Sequence, residues 1–219
     1  MWALVIKDIA LQKRQFIFAA LYSLFVFVAF SSSIFSSFVY AMGAIGIAYI
    51  MIMTVTSSEE KNDTDIILNS LPLRRWQIVC SKYLSIVVFV GLGLLFMILA
   101  GYLFSILHLP APGPIHLSDI ILAFCSVGLM GSIYFPIYYL LAGKWARTIN
   151  LFLFLLVFFA PSWIVEYVKG HMSKGEVLRL VQLIVQHADL LYLAGLGLIL
   201  VLMIVSLWVS IRIYERKDF

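Results

Sequence analysis

Few residues in this chain have the types and spacing to do chemistry. His108, His116, His171 and His187 could in principle bind a metal or sense pH. No two of them share a metal-binding spacing, and they read as polar residues of interfacial loops. Cys80 and Cys125 have no CxxC pattern and no nearby histidine. They read as two small buried residues, with no disulfide framework and no zinc site. Ser31, Ser32, Ser33, Ser36 and Ser37 supply hydroxyls, but no His or Lys accompanies them as a base. The sequence has no glycine-rich phosphate loop, no GxSxG elbow, no HExxH and no paired carboxylates inside its apolar runs. A catalytic site is therefore not expected.

The one long polar segment before the middle of the chain is 57–75. It holds Glu59, Glu60, Asp63 and Asp65, with Lys61, Arg74 and Arg75, around an apolar patch of Ile66, Ile67, Leu68 and Leu71. Ser57-Ser58-Glu59-Glu60 fits a capping box that would open a helix at the start of this segment. Pro72 suits the first turn of the helix that follows. Such a segment can lie back on its own helices or dock in a groove of a soluble partner. Its physics alone leaves both open.

The elements that must position this segment follow from composition. Of the 219 residues, 63% are apolar and only 12% charged. A soluble domain has about a quarter charged residues, and a globule of this size could not hide so much apolar surface. The net charge of +4 invites a nucleic-acid partner, but the placement of the charges argues against one. Disorder requires the opposite composition. What remains is an all-α polytopic membrane protein in a single domain. A span takes about 20 residues, so roughly six fill the chain.

Residues 1–15 place Trp2, Val5, Ile6 and Ile9 at helical spacing beside Lys7, Asp8, Lys13 and Arg14, as in a helix lying on the bilayer surface. Residues 16–56 carry no charge and are long enough for a hairpin of two spans, 16–34 and 38–56, turning at the serine cluster. The third span is 78–107, with Lys82 near its start. The proline-rich stretch 108–117 is a loop. The fourth span is 118–141, with Asp119 in its first turn and Pro136 as a kink. A tight polar turn over Gly143–Arg147 leads to the fifth span, 149–165, broken near Pro161. An amphipathic external segment, 166–189, precedes the sixth span, 190–211. Of the 15 Lys and Arg, only Lys169, Lys174 and Arg179 fall on the side opposite the termini. The positive-inside rule then puts both termini in the cytoplasm. The spans contain almost no ionisable groups, which argues against a proton- or sodium-driven carrier.

The run Glu59-Glu60-Lys61-Asn62-Asp63-Thr64-Asp65-Ile66-Ile67-Leu68-Asn69-Ser70-Leu71-Pro72-Leu73-Arg74-Arg75, followed by Ile78-Val79 and Lys82-Tyr83, resembles small bacterial type-2 ABC exporter permeases. Lys7-Asp8 and Gln12-Lys13 ahead of a Phe-rich span are similar too. The subgroup most resembled includes exporters of phenol-soluble modulins and other amphipathic peptides. The resemblance implies a permease of the bacterial cytoplasmic membrane with no ATPase activity and no cofactor of its own. ATP and magnesium would be bound by a separate ABC ATPase subunit. A second permease half, identical or different, would complete the transporter, with membrane lipids and an amphipathic peptide cargo as further partners and no nucleic acid.

On this resemblance the segment 57–75 is a coupling helix docked on the ATPase. Ile66, Ile67 and Leu71 would anchor it, and Glu59, Glu60, Asp63 and Asp65 would set charge complementarity. Arg74 and Arg75 would either join that contact or hold the helix at anionic headgroups. Lys144 and Arg147 would form a second cytoplasmic contact. Phe25, Phe27, Phe30, Phe152 and Phe158 would line a path for apolar cargo, unless they face lipid or pack. A scaffold or sensor subunit that binds a partner without transport carries the same features and stays open.

Overall fold

The computed structural model describes residues 2–30, 38–62, 64–70, 73–109, 113–141, 143–171, 175–177 and 186–216. Every regular element among them is α-helical. In chain order the main helices are α1 (Trp2–Ala10), α2 (Lys13–Phe30), α3 (Val39–Lys61), α4 (Thr64–Ser70), α5 (Arg75–Ile106), α6 (Leu117–Leu141), α7 (Gly143–His171) and α8 (Ala188–Glu215). In lipid only a helix satisfies its own backbone, so apolar runs of this length have no other stable form. By length and composition α2, α3, α5, α6 and Leu190–Glu215 of α8 can each cross a membrane, while the apolar stretch of α7, Trp145–Ala160, is shorter. The chain is a multi-pass membrane protein.

α3 is the central helix. It is the most buried of the five, and its contact with α5 depends on small residues. A Cβ on Gly93 would sit 2.8 Å from the Ala44 carbonyl oxygen and 3.1 Å from its Cα. Backbone thus packs on backbone, as small residues allow between helices in a bilayer. Around this seam pack Phe27, Tyr40 and Phe104, with ring centroids 5.4 and 5.3 Å from Phe27. α7 joins through Phe154, stacked on Tyr49 at 4.1 Å. The start of α6 is closed by Asp119, whose Oδ2 accepts the His116 amide at 3.0 Å.

Several boundaries differ from the sequence expectation. α3 does not end at residue 56: it runs through Ser57–Glu60 to Lys61, so these residues are helix interior and not a cap. The reason is lateral, since Glu59 is held by partners from other helices. α5 opens at Arg75, and its first free amide is met by Gln77, whose Oε1 accepts Arg74 N–H at 3.2 Å. Pro72 lies outside the described residues, as does the serine turn 31–37. Gly143–Arg147 is not a turn but the first residues of α7, which continues through Pro161 to His171. α6 likewise continues through Pro136. Prolines interrupt such helices less than soluble ones because neighbouring groups re-satisfy the freed carbonyls. Cys80 and Cys125 are half-buried rather than enclosed.

Candidate functional site

The strongest concentration of polar chemistry lies where α1, α3 and α5 meet. α1 turns Leu4, Val5 and Asp8 inward and leaves Trp2 and Ile6 exposed. An inward carboxylate and an outward apolar face suit a helix whose outer side meets lipid. Asp8 is completely buried, and Glu59 and Lys82 nearly so. Lys82 Nζ donates to Asp8 Oδ1 and Oδ2, both at 3.0 Å, and to Glu59 Oε1 at 2.5 Å. Lys7 Nζ donates to the same Glu59 oxygen at 2.6 Å. Ser85 Oγ donates to Asp8 Oδ2 at 2.9 Å. Two lysines thus face two carboxylates, and the cluster is neutral.

Burying ions costs several kcal/mol each, and attraction offsets this only when geometry and hydrogen bonding are complete. Here Lys82 has three acceptors for its three ammonium protons. All three protons of Lys82 are thus used inside the cluster, which ties α1, α3 and α5 together. Burial works to lower the Lys7 pKa, but the Glu59 and Asp8 carboxylates outweigh it and hold the group above the ordinary lysine value of 10.5. Lys7 therefore stays charged at every physiological pH. Beside the cluster is a cavity of about 10 Å³, room for about one water. Asp8, Thr56, Lys82 and Ser85 give it a polar wall, with Ile52, Val55, Phe89 and Phe135 opposite.

Two further ties leave this end of the molecule. Arg147, near the start of α7, pairs with Glu60 at the end of α3. Arg75, the first residue of α5, donates to the Glu215 carbonyl at 2.8 Å and the Tyr214 carbonyl at 3.5 Å. It caps the C-terminus of α8, where the helix dipole favours a cation. The charges at this end thus bind α1, α3, α5, α7 and α8 to one another. Between the ends of α3 and α5 in sequence stands the short helix α4. Its Leu68 is buried in the core, while Ile67 is 57% exposed.

The residues singled out from sequence divide accordingly. Glu59 and Glu60 are drawn into internal pairs rather than displayed for a partner, because cations from other helices lie within reach. Arg75 is engaged with α8, and Arg74 is exposed. Arg147 is engaged with Glu60. Asp63 and Leu71 lie outside the described residues, and so do the side chains of Asp65, Ile66 and Lys144. Ile67 is the described anchor residue left on the surface.

The five aromatic residues differ in their setting within the single chain. Phe27 is fully buried in packing, Phe25 and Phe152 face outward at 64% and 65% exposure, and Phe30 and Phe158 are half-buried. None of the five is among the walls of the small cavity. Sequence reading missed the grouping of Lys7, Asp8, Glu59 and Lys82. The available signal was four ionisable residues of balanced sign at the ends of apolar runs, where an unpaired charge is too costly to keep. Among the described residues no group of three or more His, Cys, Asp and Glu could hold a metal ion.

Comparison with known families is decisive for the class. A family model described as ABC-2 family transporter protein matches residues 3–215. No curated protein and no solved structure matches the chain. The match spans almost the whole chain, and the protein belongs to the ABC-2 family as a membrane permease of an ABC transporter.

Proposed function

We propose that this ABC-2 permease is the membrane half of an ATP-driven exporter, worked by a separate ATP-binding subunit that docks on α4. In this reading α7 is the fifth of six spans, both termini are cytoplasmic, and two halves, identical or different, enclose the path. The setting is a bacterial cytoplasmic membrane. The cargo is an amphipathic or apolar peptide, in keeping with spans that fix almost no charge. The permease binds no nucleotide, and ATP and magnesium belong to the partner.

The observation that carries this reading is the placement of α4. Its buried side, at Leu68, holds it to the body of the protein, and its exposed Ile67 is an apolar anchor for a groove. The helices before and after it, α3 and α5, are pinned to each other through Glu59 and Lys82. A push on α4 then acts on a rigid frame rather than on a loose loop. ATP-driven closure of the partner would displace α4, the frame would follow, and the spans would exchange between two packings. Such a bistable element, biased by a ligand, is the general form of a switch.

The test is Ile67→Asp. The exposed position tolerates the charge in the folded permease, so insertion and unfolding temperature should stay unchanged, while association with the ATP-binding subunit falls at least tenfold. Equal association in a well-folded variant contradicts docking through α4.

A further inference from the structure

α6 concentrates the causes of helix bending in one short stretch: Gly128, Gly131, Ser132 and Pro136. Ser132 Oγ donates back to the Gly128 carbonyl at 2.7 Å, a bond that loosens a helix locally. Pro136 has no N–H, so the Ser132 carbonyl, four residues earlier, loses its helical donor. In a bilayer such a carbonyl needs another partner. The structure supplies one from a different helix: Ser206 Oγ of α8 donates to the Ser132 carbonyl at 2.5 Å. The Tyr83 hydroxyl of α5 lies 2.6 Å from Ser206 Oγ and 2.9 Å from Ser210 Oγ. Tyr83, Ser206 and Ser210 are all buried.

The protons can be assigned without conflict. Ser210 donates to Tyr83, Tyr83 donates to Ser206, and Ser206 donates to the Ser132 carbonyl. Each hydroxyl gives one proton along a chain that ends at the site left open by proline. The same stretch is pressed by both neighbours: a Cβ on Gly128 would lie 2.8 Å from Ile199 of α8, and one on Gly131 would run into Ile86 of α5. α5, α6 and α8 therefore meet at the stretch of α6 that holds its proline and its back-bonded serine.

We propose that this hydroxyl chain is a latch over a proline hinge in α6, with Ser206 and Tyr83 as positioning residues. Closed, it holds α6 in the conformation seen here. Displacement of α5, the helix that follows α4, draws Tyr83 away, releases Ser206 and lets α6 bend at Pro136. The role of this bend in transport rests on the permease reading above, but the hinge can be tested without the ATPase.

Spin labels at Ile120 and Leu140, both outward-facing residues of α6, span the hinge over about 30 Å at 1.5 Å per residue. They are introduced as cysteines with Cys80 and Cys125 replaced by alanine, in the permease alone in nanodiscs. The parent should give one narrow distance distribution. Ser206→Ala should add a second, shorter distance, and Ser206→Thr, which keeps the hydroxyl, should not. Adding Pro136→Ala to Ser206→Ala restores an N–H for the Ser132 carbonyl and should return the single narrow distribution. A parent-like distribution in Ser206→Ala overturns the latch. If Ser206→Ala does not fold, the double variant should fold with one narrow distance. Failure of the double variant to fold or to narrow also overturns it. Weak ATPase docking in other experiments would leave these results standing.

Discussion

Replacing Lys82 with methionine keeps the length of the side chain and removes its charge. Lys82 holds the fully buried Asp8 through two hydrogen bonds and Glu59 through one. After the change Glu59 keeps Lys7. Asp8 keeps only Ser85 Oγ at 2.9 Å and a longer approach to Lys7 at 3.5 Å. The cluster passes from neutral to one net negative charge in an enclosed site. Breaking a buried pair in this way costs about 3–5 kcal/mol, which is roughly a hundredfold or more in the unfolding equilibrium. Asp8→Asn added to Lys82→Met restores neutrality, and Ser85 can still donate to the amide oxygen. The double variant should therefore recover about 1–3 kcal/mol of the loss, the range of coupling between contacting residues. Unfolding of the four chains in mixed micelles, read by circular dichroism, gives the full cycle. A Lys82→Met cost below about 1 kcal/mol, or strict additivity with Asp8→Asn, would refute the buried clasp.

Three other outcomes follow from the same structure. Gly93→Ala drives a methyl into the Ala44 backbone and should destabilise by about 1–3 kcal/mol. Gly91→Ala meets nothing within 4 Å and should be neutral or stabilising by up to about 1 kcal/mol; matched unfolding curves distinguish the two. The Lys7 pKa is raised on folding, so its contribution is complete below the unfolded-state value and is lost only as pH climbs through the higher folded value. Stability from Lys7 should be flat from about pH 6 to 9 and should fall only in strong alkali, a trend that Lys7→Met removes from the unfolding profile. For topology, a cysteine at Gly113 should react with an impermeant maleimide from outside and one at Asp63 should not; reversed labelling would overturn the charge argument.

The long elements were legible because apolar runs of about 20 residues admit one structure in lipid. Starts and ends shifted where a tertiary partner outweighed a local signal. Ser57–Glu60 reads locally as a cap, yet α3 continues through it because Glu59 meets Lys82, 23 residues away, and Lys7, 52 away. Asp8 and Lys82 stand 74 positions apart, and no local period links them. The same limit hid Ser206 and Tyr83, 123 positions apart. Pro136 was visible as a kink, but not the hydroxyl from α8 that answers it. Within the apolar patch of the polar segment, Ile67 lies on the surface and neighbouring Leu68 is turned inward, a division that no local signal in the sequence sets.

The central claim is transport driven by an ATP-binding partner docked on α4. Its most direct measurement is to purify the permease in nanodiscs with an ABC ATPase subunit encoded beside it and to follow ATP turnover with and without amphipathic peptides. The account predicts a stable complex whose turnover rises with peptide in the parent and not in Ile67→Asp. A well-folded permease that forms no complex, or a complex whose turnover ignores every amphipathic peptide supplied, would contradict it, the first by removing the docking and the second by removing the cargo.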